Sequence, residues 1–447
     1  MTSPLQITPI KIAADEYPDR LAFDDGKVQI TYGQLPDKLE ASPVMRIAGL
    51  QPGDHVAWCP QNDWDGFLTF WALQQLGCVA CPISHRFPDA QRQQIVKYLD
   101  AKWLPDLTAG QRLKREQVPS SLDRPTTIVL SSGSTGIPKA VVHTMAAHVA
   151  SAKGAAVNMP LDPGDRWLWS LPLFHVSGLS ILVRCAVAGA TAVCLPDGSA
   201  LDGEVLDRLE VTHLSVVITQ LRQLLSEDDF PSRHLKSVLL GGSGFDETMV
   251  IEARKRGVPV HTTYGLTEMA SQVTTSSKDD PPHTSGRVLS GRELKINASG
   301  EILVRGETLC SGYYRDGQVH SAIDDQGWFH TRDLGDWDGD QCLTVKGRID
   351  NMFFSGGENI HPERIERAMM NAFDIDQVIV VPKQDATYGD RPVAFVRGDL
   401  PDQWQVHLGK HLKRYEIPIE ILVWPAAAEG AIKPDRKRLQ RIANENE

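Results

Sequence analysis

Between two apolar, β-branched runs, Thr126-Thr-Ile-Val-Leu130 and Ala140-Val-Val-His143, the chain carries Ser131-Ser-Gly-Ser-Thr-Gly-Ile-Pro-Lys139. The pattern predicts strand, glycine-rich loop, strand. Gly133 and Gly136 free the backbone to turn its N–H groups inward, hydroxyls add donors and Lys139 adds charge. Together these suit a polyphosphate. The spacing G-x-x-x-x-G-K-[ST] is absent, which excludes an ordinary P-loop NTPase. A flexible Ser/Gly linker would not be wedged between two buried-looking strands, nor end in Pro-Lys.

A chain of 447 residues exceeds the size at which a single core stops growing, so two or more domains are expected. Its 46 basic and 57 acidic residues leave a net charge of −11, with no basic run before the tail, which argues against a nucleic-acid partner. The start, Met1-Thr-Ser-Pro-Leu, lacks the features of a signal peptide, and a cytoplasmic location is expected. The most apolar segment, Leu179 to Pro196, contains Arg184 and is punctuated by Gly189. It predicts a helix over 179–188 capped by Gly189 and a strand over 190–195, and no membrane span. The seven cysteines are scattered and odd in number, as free buried thiols would be. Cys78-Val-Ala-Cys81 has no second pair to complete a zinc site and is read as core.

From Gly53 the chain alternates helical and strand-like stretches, the mark of an α/β layered fold. Strands are expected at 54–58, 78–83, 214–218, 237–240 and 259–263, with a helix over 64–77. Between 284 and 346 the texture changes to short strands and turns, as in a β-meander or small barrel. After Gly347-Arg-Ile-Asp350 a fresh α+β pattern begins, with Pro362 at a helix start, strands at 377–382 and 392–397, and a closing basic helix. The expected organisation is therefore a large layered N-terminal domain, 1–349, combining α/β sheets with a small β-barrel, and a small α+β domain, 350–447.

Other segments gain meaning from their order. Ser170-Leu-Pro-Leu-Phe-His-Val-Ser-Gly178 holds a histidine that alone would be a core residue; Leu239-Leu-Gly-Gly-Ser-Gly244 places glycines after a strand; Tyr264-Gly-Leu-Thr-Glu268 alone would be an ordinary turn. With Gly300-Glu301, Gly312-Tyr313, Thr331-Arg-Asp333, Gly347-Arg-Ile-Asp350 and Lys433, the series from about Gly53 to Leu439 resembles the successive core motifs of the adenylate-forming superfamily. That family includes acyl-CoA synthetases, luciferases and adenylation domains of peptide synthetases. The short chain, the segment around His175 and Phe353-Phe-Ser-Gly-Gly-Glu-Asn-Ile360 are most similar to its o-succinylbenzoate–CoA ligases of menaquinone biosynthesis. Two departures are Ser134 in place of the commoner Thr, and Gly430-Ala-Ile-Lys433-Pro where many members have Ser-Gly-Lys.

The resemblance implies an AMP-forming acid–thiol ligase using ATP, Mg²⁺ and CoA. Alternatives are another aryl- or acyl-CoA ligase, a stand-alone adenylation enzyme loading a carrier protein, and a nucleotide-binding protein without catalysis. By resemblance, Ser131, Ser132, Gly133, Ser134, Thr135, Gly136 and Lys139 hold the leaving pyrophosphate. Thr267 meets the α-phosphate, Glu268 holds Mg²⁺, and Gly242, Ser243, Gly244, Tyr264 and Gly265 line the nucleotide. Asp333 accepts the ribose hydroxyls and Arg348 reaches ribose or phosphate. Lys433 is the catalytic cation of adenylation, with His175 beside the reacting centre. The acid falls to His175, Ser177, Gly265, Leu266 and Arg184, the last because o-succinylbenzoate has a second carboxylate to be held in an apolar pocket. Asp350 is the hinge on which the small domain turns between half-reactions. The implied partners are small molecules, the acid, ATP and CoA; homo-oligomer formation stays open.

Overall fold

The computed structural model describes residues 8–47, 49–106, 121–131, 138–196, 199–227, 230, 232–242, 245, 247–339, 341–385, 389–425 and 435–445. The apolar run Trp64–Leu76 is a helix because Asp63 caps it, accepting from Gly66 N at 2.8 Å, and Gly77 ends it in the left-handed conformation at φ 71°. Val176–Ala188 ends the same way at Gly189, φ 67°. Both helices carry apolar residues on most of their surface, as buried helices do. One core joins them to residues of two sheets, such as Phe23 and Trp167 of one and Val56 and Val129 of the other.

The first sheet has seven strands, in spatial order 318–320, 312–315, 139–144, 125–131, 79–82, 55–58 and 102–103. The second has nine: 287–288, 271–275, 260–266, 237–240, 213–216, 166–168, 191–193, 21–24 and 29–31. Its central strands run parallel, with connecting helices at Gly203–Arg208, Ile218–Leu225 and Glu247–Lys255. This is the α/β layering that the alternating pattern implies.

The β-rich stretch divides in a way the sequence did not announce. Strands 292–296, 301–306, 329–338 and 342–348 form a separate four-stranded antiparallel sheet; its first and last strands are not paired among the described residues, so an open sheet stands where a small barrel is expected. The hairpin 312–320 leaves it and extends the first sheet, pairing Tyr313 with Val141 and Tyr314 with Ala140. Two boundaries also differ. The strand expected at 214–218 is His213–Val216, because Ile218 already starts a helix whose Gln220 side chain accepts from Val217 N at 3.1 Å. Tyr264-Gly-Leu is not a turn but the end of strand Val260–Leu266.

From Phe353 onward a sheet of 353–355, 358–360, 377–385 and 389–397, with 421–423 added parallel, packs on helices Pro362–Ala372 and Arg436–Glu445 around cores of its own. The two long strands run past the prolines at which the sequence reading stopped them. Pro382 lies opposite Pro392, so both missing N–H groups fall at one rung and the pairing continues beyond it. Six cysteines are buried and Cys59 is half-buried, all free. Among the described residues no cluster of three or more His, Cys, Asp or Glu side chains is arranged for a metal, and no helix is long and apolar enough to cross a membrane.

Candidate functional site

The chemistry gathers around the end of strand Val260–Leu266. A 3-10 turn, Thr267–Met269, follows, and the chain reverses through Ala270 (φ 50°) and Ser271 (φ 127°) into strand Ser271–Thr275. Two non-glycine residues in succession at positive φ store strain, which a packed site must offset. Gly265 is exposed, and a Cβ there would lie 2.3 Å from Ser271 O, so only glycine lets the two backbones close at this bulge.

Glu268 sits in the turn, 9% exposed, and its Oε1 accepts from Tyr313 Oη at 2.7 Å. No bond to its Oε2 exists among the described residues, which leaves a hard oxygen for a cation. Burial, then the charge of Glu268, pushes the Tyr313 phenol far up, so it stays a donor. Lys139 lies over the Tyr313 ring, 5.2 Å from the centroid, and pairs in register with Ser131. The two ends of the glycine-rich loop are thereby held beside Glu268. Thr267 is fixed from behind by His143, whose Nε2 donates to Thr267 O at 2.7 Å. Burial pushes His143 down to about 4, keeping the ring neutral.

The strand's other side meets the four-stranded sheet. Tyr264 Oη donates to Asp333 Oδ2 at 2.7 Å and Arg348 Nη1 to Asp333 Oδ1 at 2.9 Å. Arg348 also reaches Asp350 Oδ2 at 3.3 Å, and Arg332 closes on Asp350 Oδ1 at 3.1 Å. Gly241, which follows the neighbouring strand, faces Thr263 so closely that a Cβ would lie 2.8 Å from its methyl, and Gly242 has φ 93°. Flat backbone beside a buried tyrosine and a carboxylate suits a nucleoside.

Three of the acid-side candidates, His175, Ser177 and Arg184, lie on helix Val176–Ala188 or at its N-cap, and Gly265 and Leu266 end strand Val260–Leu266. His175 is at the helix N-cap position and exposed, which overturns the core reading that an isolated histidine invites. Ser177 is half-buried in the first turn, and Leu266 is half-buried at the strand end. Arg184, nine residues after His175, is 3% exposed. Its Nη2 donates to Gln272 Oε1 at 2.6 Å and Ser271 Oγ at 3.1 Å, and its guanidinium lies 5.1 Å from the Trp167 ring. Ser271 and Gln272 pair with Leu266 and Gly265, so this arginine backs the segment expected to touch the acid.

Ser132, Gly133, Ser134, Thr135, Gly136, Ser243, Gly244 and Lys433 lie outside the described residues. Sequence reasoning did not place Tyr313, His143, Gln272 or Arg292 at the site. Gly312-Tyr313 was visible as a motif, but its join to strand 139–144 is tertiary.

The AMP-binding enzyme family matches residues 10–111 and 103–314. A relative from Salmonella typhimurium named 2-succinylbenzoate–CoA ligase is 37% identical over 419 residues, covering 89% of each chain. An arginine-to-lysine variant of E. coli MenE with bound OSB-AMS superposes with a TM-score of 0.84 at 31% identity, over 98% of both chains. The o-succinylbenzoate coenzyme A synthetase of Bacillus subtilis in complex with ATP and magnesium ion gives 0.83 at 26% identity, over 93% of this chain and 95% of that one. These matches establish that the chain belongs to the AMP-binding, adenylate-forming enzyme family.

Proposed function

We propose that the protein joins o-succinylbenzoate to CoA at the expense of ATP, through an acyl-adenylate, as a step of menaquinone biosynthesis. The observation that carries this reading is Arg184, a buried guanidinium whose described partners are all neutral, set beside the segment Gly265–Glu268. A buried cation without a counter-charge is costly, and a second carboxylate on the acid would offset it. Curated relatives bearing the name 2-succinylbenzoate–CoA ligase support the same reading.

In the first half-reaction the acid's succinyl carboxylate attacks the α-phosphorus in line and pyrophosphate leaves, so positioning and charge neutralisation supply most of the catalysis. Ser131 and Lys139, with the loop between them, hold the leaving phosphates; Thr267 lies at the α-phosphate. Glu268, with one oxygen held by Tyr313 and the other open, would hold Mg²⁺ together with ATP oxygens, a cation that neutralises phosphate charge when bound. Tyr264 and Gly242 flank adenine, Asp333 receives the ribose hydroxyls and Arg348 adds positive charge. His175 and Ser177 lie at the acid's reacting end, Gly265 and Leu266 along its body and Arg184 at its ring carboxylate. Lys433 provides the cation to the attacking carboxylate. The unit 350–447 then turns about Asp350 to admit CoA.

A pyrophosphate-release assay over a panel of acids, with and without CoA, tests the reading. Release should require o-succinylbenzoate, and thioester should form only with CoA. Arg184→Ala should raise the KM for the acid about a hundredfold, as loss of a buried charge pair of about 3 kcal/mol implies, and leave the KM for ATP nearly unchanged. Equal losses for ATP and acid would remove Arg184 from the acid site.

A further inference from the structure

Arg184 is not the only buried cation of this region. Arg292, 6% exposed, opens the first strand of the four-stranded sheet and binds only neutral acceptors. Its Nε donates to Gln272 O at 2.8 Å, Nη1 to Ser290 O at 2.8 Å, and Nη2 to Ser151 O and Oγ, each at 3.2 Å. Ser151 Oγ in turn donates to Ala270 O at 3.0 Å, gripping the strained reversal. The fold makes room for this group: Gly154 lies inside helix Met145–Asn158, and a Cβ there would sit 2.1 Å from Arg292 Nη1. Glycine is otherwise unfavourable in a helix interior.

Gln272 joins the two arginines. Its side-chain oxygen accepts from Arg184, its backbone oxygen accepts from Arg292, and its Nε2 donates to Thr275 Oγ1 at 2.7 Å. It is 2% exposed. A carboxylate of the same shape would neutralise Arg184 at this position, and buried arginines are normally paired in that way. Here no acidic side chain among the described residues meets either guanidinium. Arg184 Nε is buried with no partner, so the group has both charge and a donor unmet. Burial, with each arginine's proximity to the other added for Arg184, pushes Arg184 down to about 9 and burial pushes Arg292 to about 10, the direction of cations held without compensation.

We infer that Gln272 is a specificity-determining residue: its neutral amide orients the Arg184 guanidinium while leaving the charge unspent, so that only an acid bringing a second, distal carboxylate completes the site. Arg292 is the positioning residue that pins the Gln272 backbone and the Ala270–Ser271 reversal, and its own charge adds to the field that carboxylate meets. This inference rests on Arg184 anchoring the acid.

The isosteric variant Gln272→Glu tests it, because the new carboxylate pairs with Arg184 from within; Thr275 Oγ1, a hydroxyl, can serve the second oxygen as donor. The probes are o-succinylbenzoate and 4-oxo-4-phenylbutanoate, the same acid without its ring carboxylate. The expected result is a rise in Tm, a KM for o-succinylbenzoate raised at least thirtyfold, and a KM for the monoacid unchanged or lowered, so that discrimination between the acids collapses. Gln272→Leu, which keeps the charge unspent, should lower Tm and raise the o-succinylbenzoate KM less than tenfold. A Glu variant that still discriminates as the parent does, or one whose two KM values rise together, overturns the role given to Gln272. Arg184→Ala separates the two ideas. If it raises the o-succinylbenzoate KM and Gln272→Glu does not, the anchor stands and this inference falls; if Arg184→Ala has no effect on that KM, the anchor itself falls.

Discussion

Tyr313 donates its phenolic hydrogen to Glu268 Oε1 at 2.7 Å while Lys139 rests on the tyrosine ring. One side chain thus couples the end of the glycine-rich loop to the carboxylate expected to hold the metal. A hydrogen bond to a charged acceptor contributes about 1.5–3 kcal/mol. Tyr313→Phe should therefore lower the rate of pyrophosphate release about tenfold and shift its Mg²⁺ half-saturation, with the acid KM little changed. A Mg²⁺ titration superimposable on that of the parent would detach Tyr313 from the metal carboxylate.

Lys433 follows Gly430 in a basic tail of the sequence, and its proposed role is to bring a cation to the attacking carboxylate. Loss of one transition-state cation costs about two to three orders of magnitude, or roughly 3–4 kcal/mol. Lys433→Ala should cripple adenylation and spare thioester formation from supplied acyl-adenylate. The two half-reactions are measured separately, and equal losses in both would point to another residue.

Asp350 occupies a 3-10 turn, Ile349–Asn351, with its carboxylate shared between Arg332 and Arg348. Proline there restricts φ, one of the dihedrals a rotation must change. Asp350→Pro should keep pyrophosphate release and lose thioester formation, whereas Asp350→Ala, lacking the carboxylate but free to turn, should retain most of the second step. If Pro and Ala lose thioester formation equally, the ion pairs rather than the dihedral are what matters.

His143 gives a pH signature. Its folded pKa, about 4, lies below the ordinary 6.5 because burial disfavours the imidazolium. Protonation therefore favours the unfolded chain. Stability from this group is complete above pH 6.5 and is lost as pH falls toward 4, by up to roughly 3 kcal/mol. In His143→Gln, which keeps a donor for Thr267 O but does not titrate, Tm should fall less between pH 7 and pH 4.5 than in the parent. Parallel Tm profiles would assign the acid sensitivity elsewhere, with His148, also lowered by burial, the next group to replace.

The sequence alone determined whatever depends on near neighbours in the chain. Helices Trp64–Leu76 and Val176–Ala188 were legible because glycines at 77 and 189 take left-handed conformations that other residues resist. Strands 125–131 and 139–144 were legible because glycines and hydroxyls interrupt two β-branched runs in the sequence. The order of the motifs was enough to point to the family. Tertiary structure decided what depends on residues far apart. Tyr313 reaches Glu268 only because its hairpin leaves the four-stranded sheet for the first one, a choice of edge that no local pattern encodes. His175 was ambiguous in sequence because an apolar neighbourhood in the chain does not tell which way a helix N-terminus faces; the fold leaves it exposed. The state of Arg184 is the clearest case. Its position in an apolar helix left it either a surface or helix-end arginine or a partner for the acid's second carboxylate; its burial is tertiary, and the neutral Gln272 that meets it belongs to a strand 88 residues later, because electrostatic compensation is a property of space rather than of chain order.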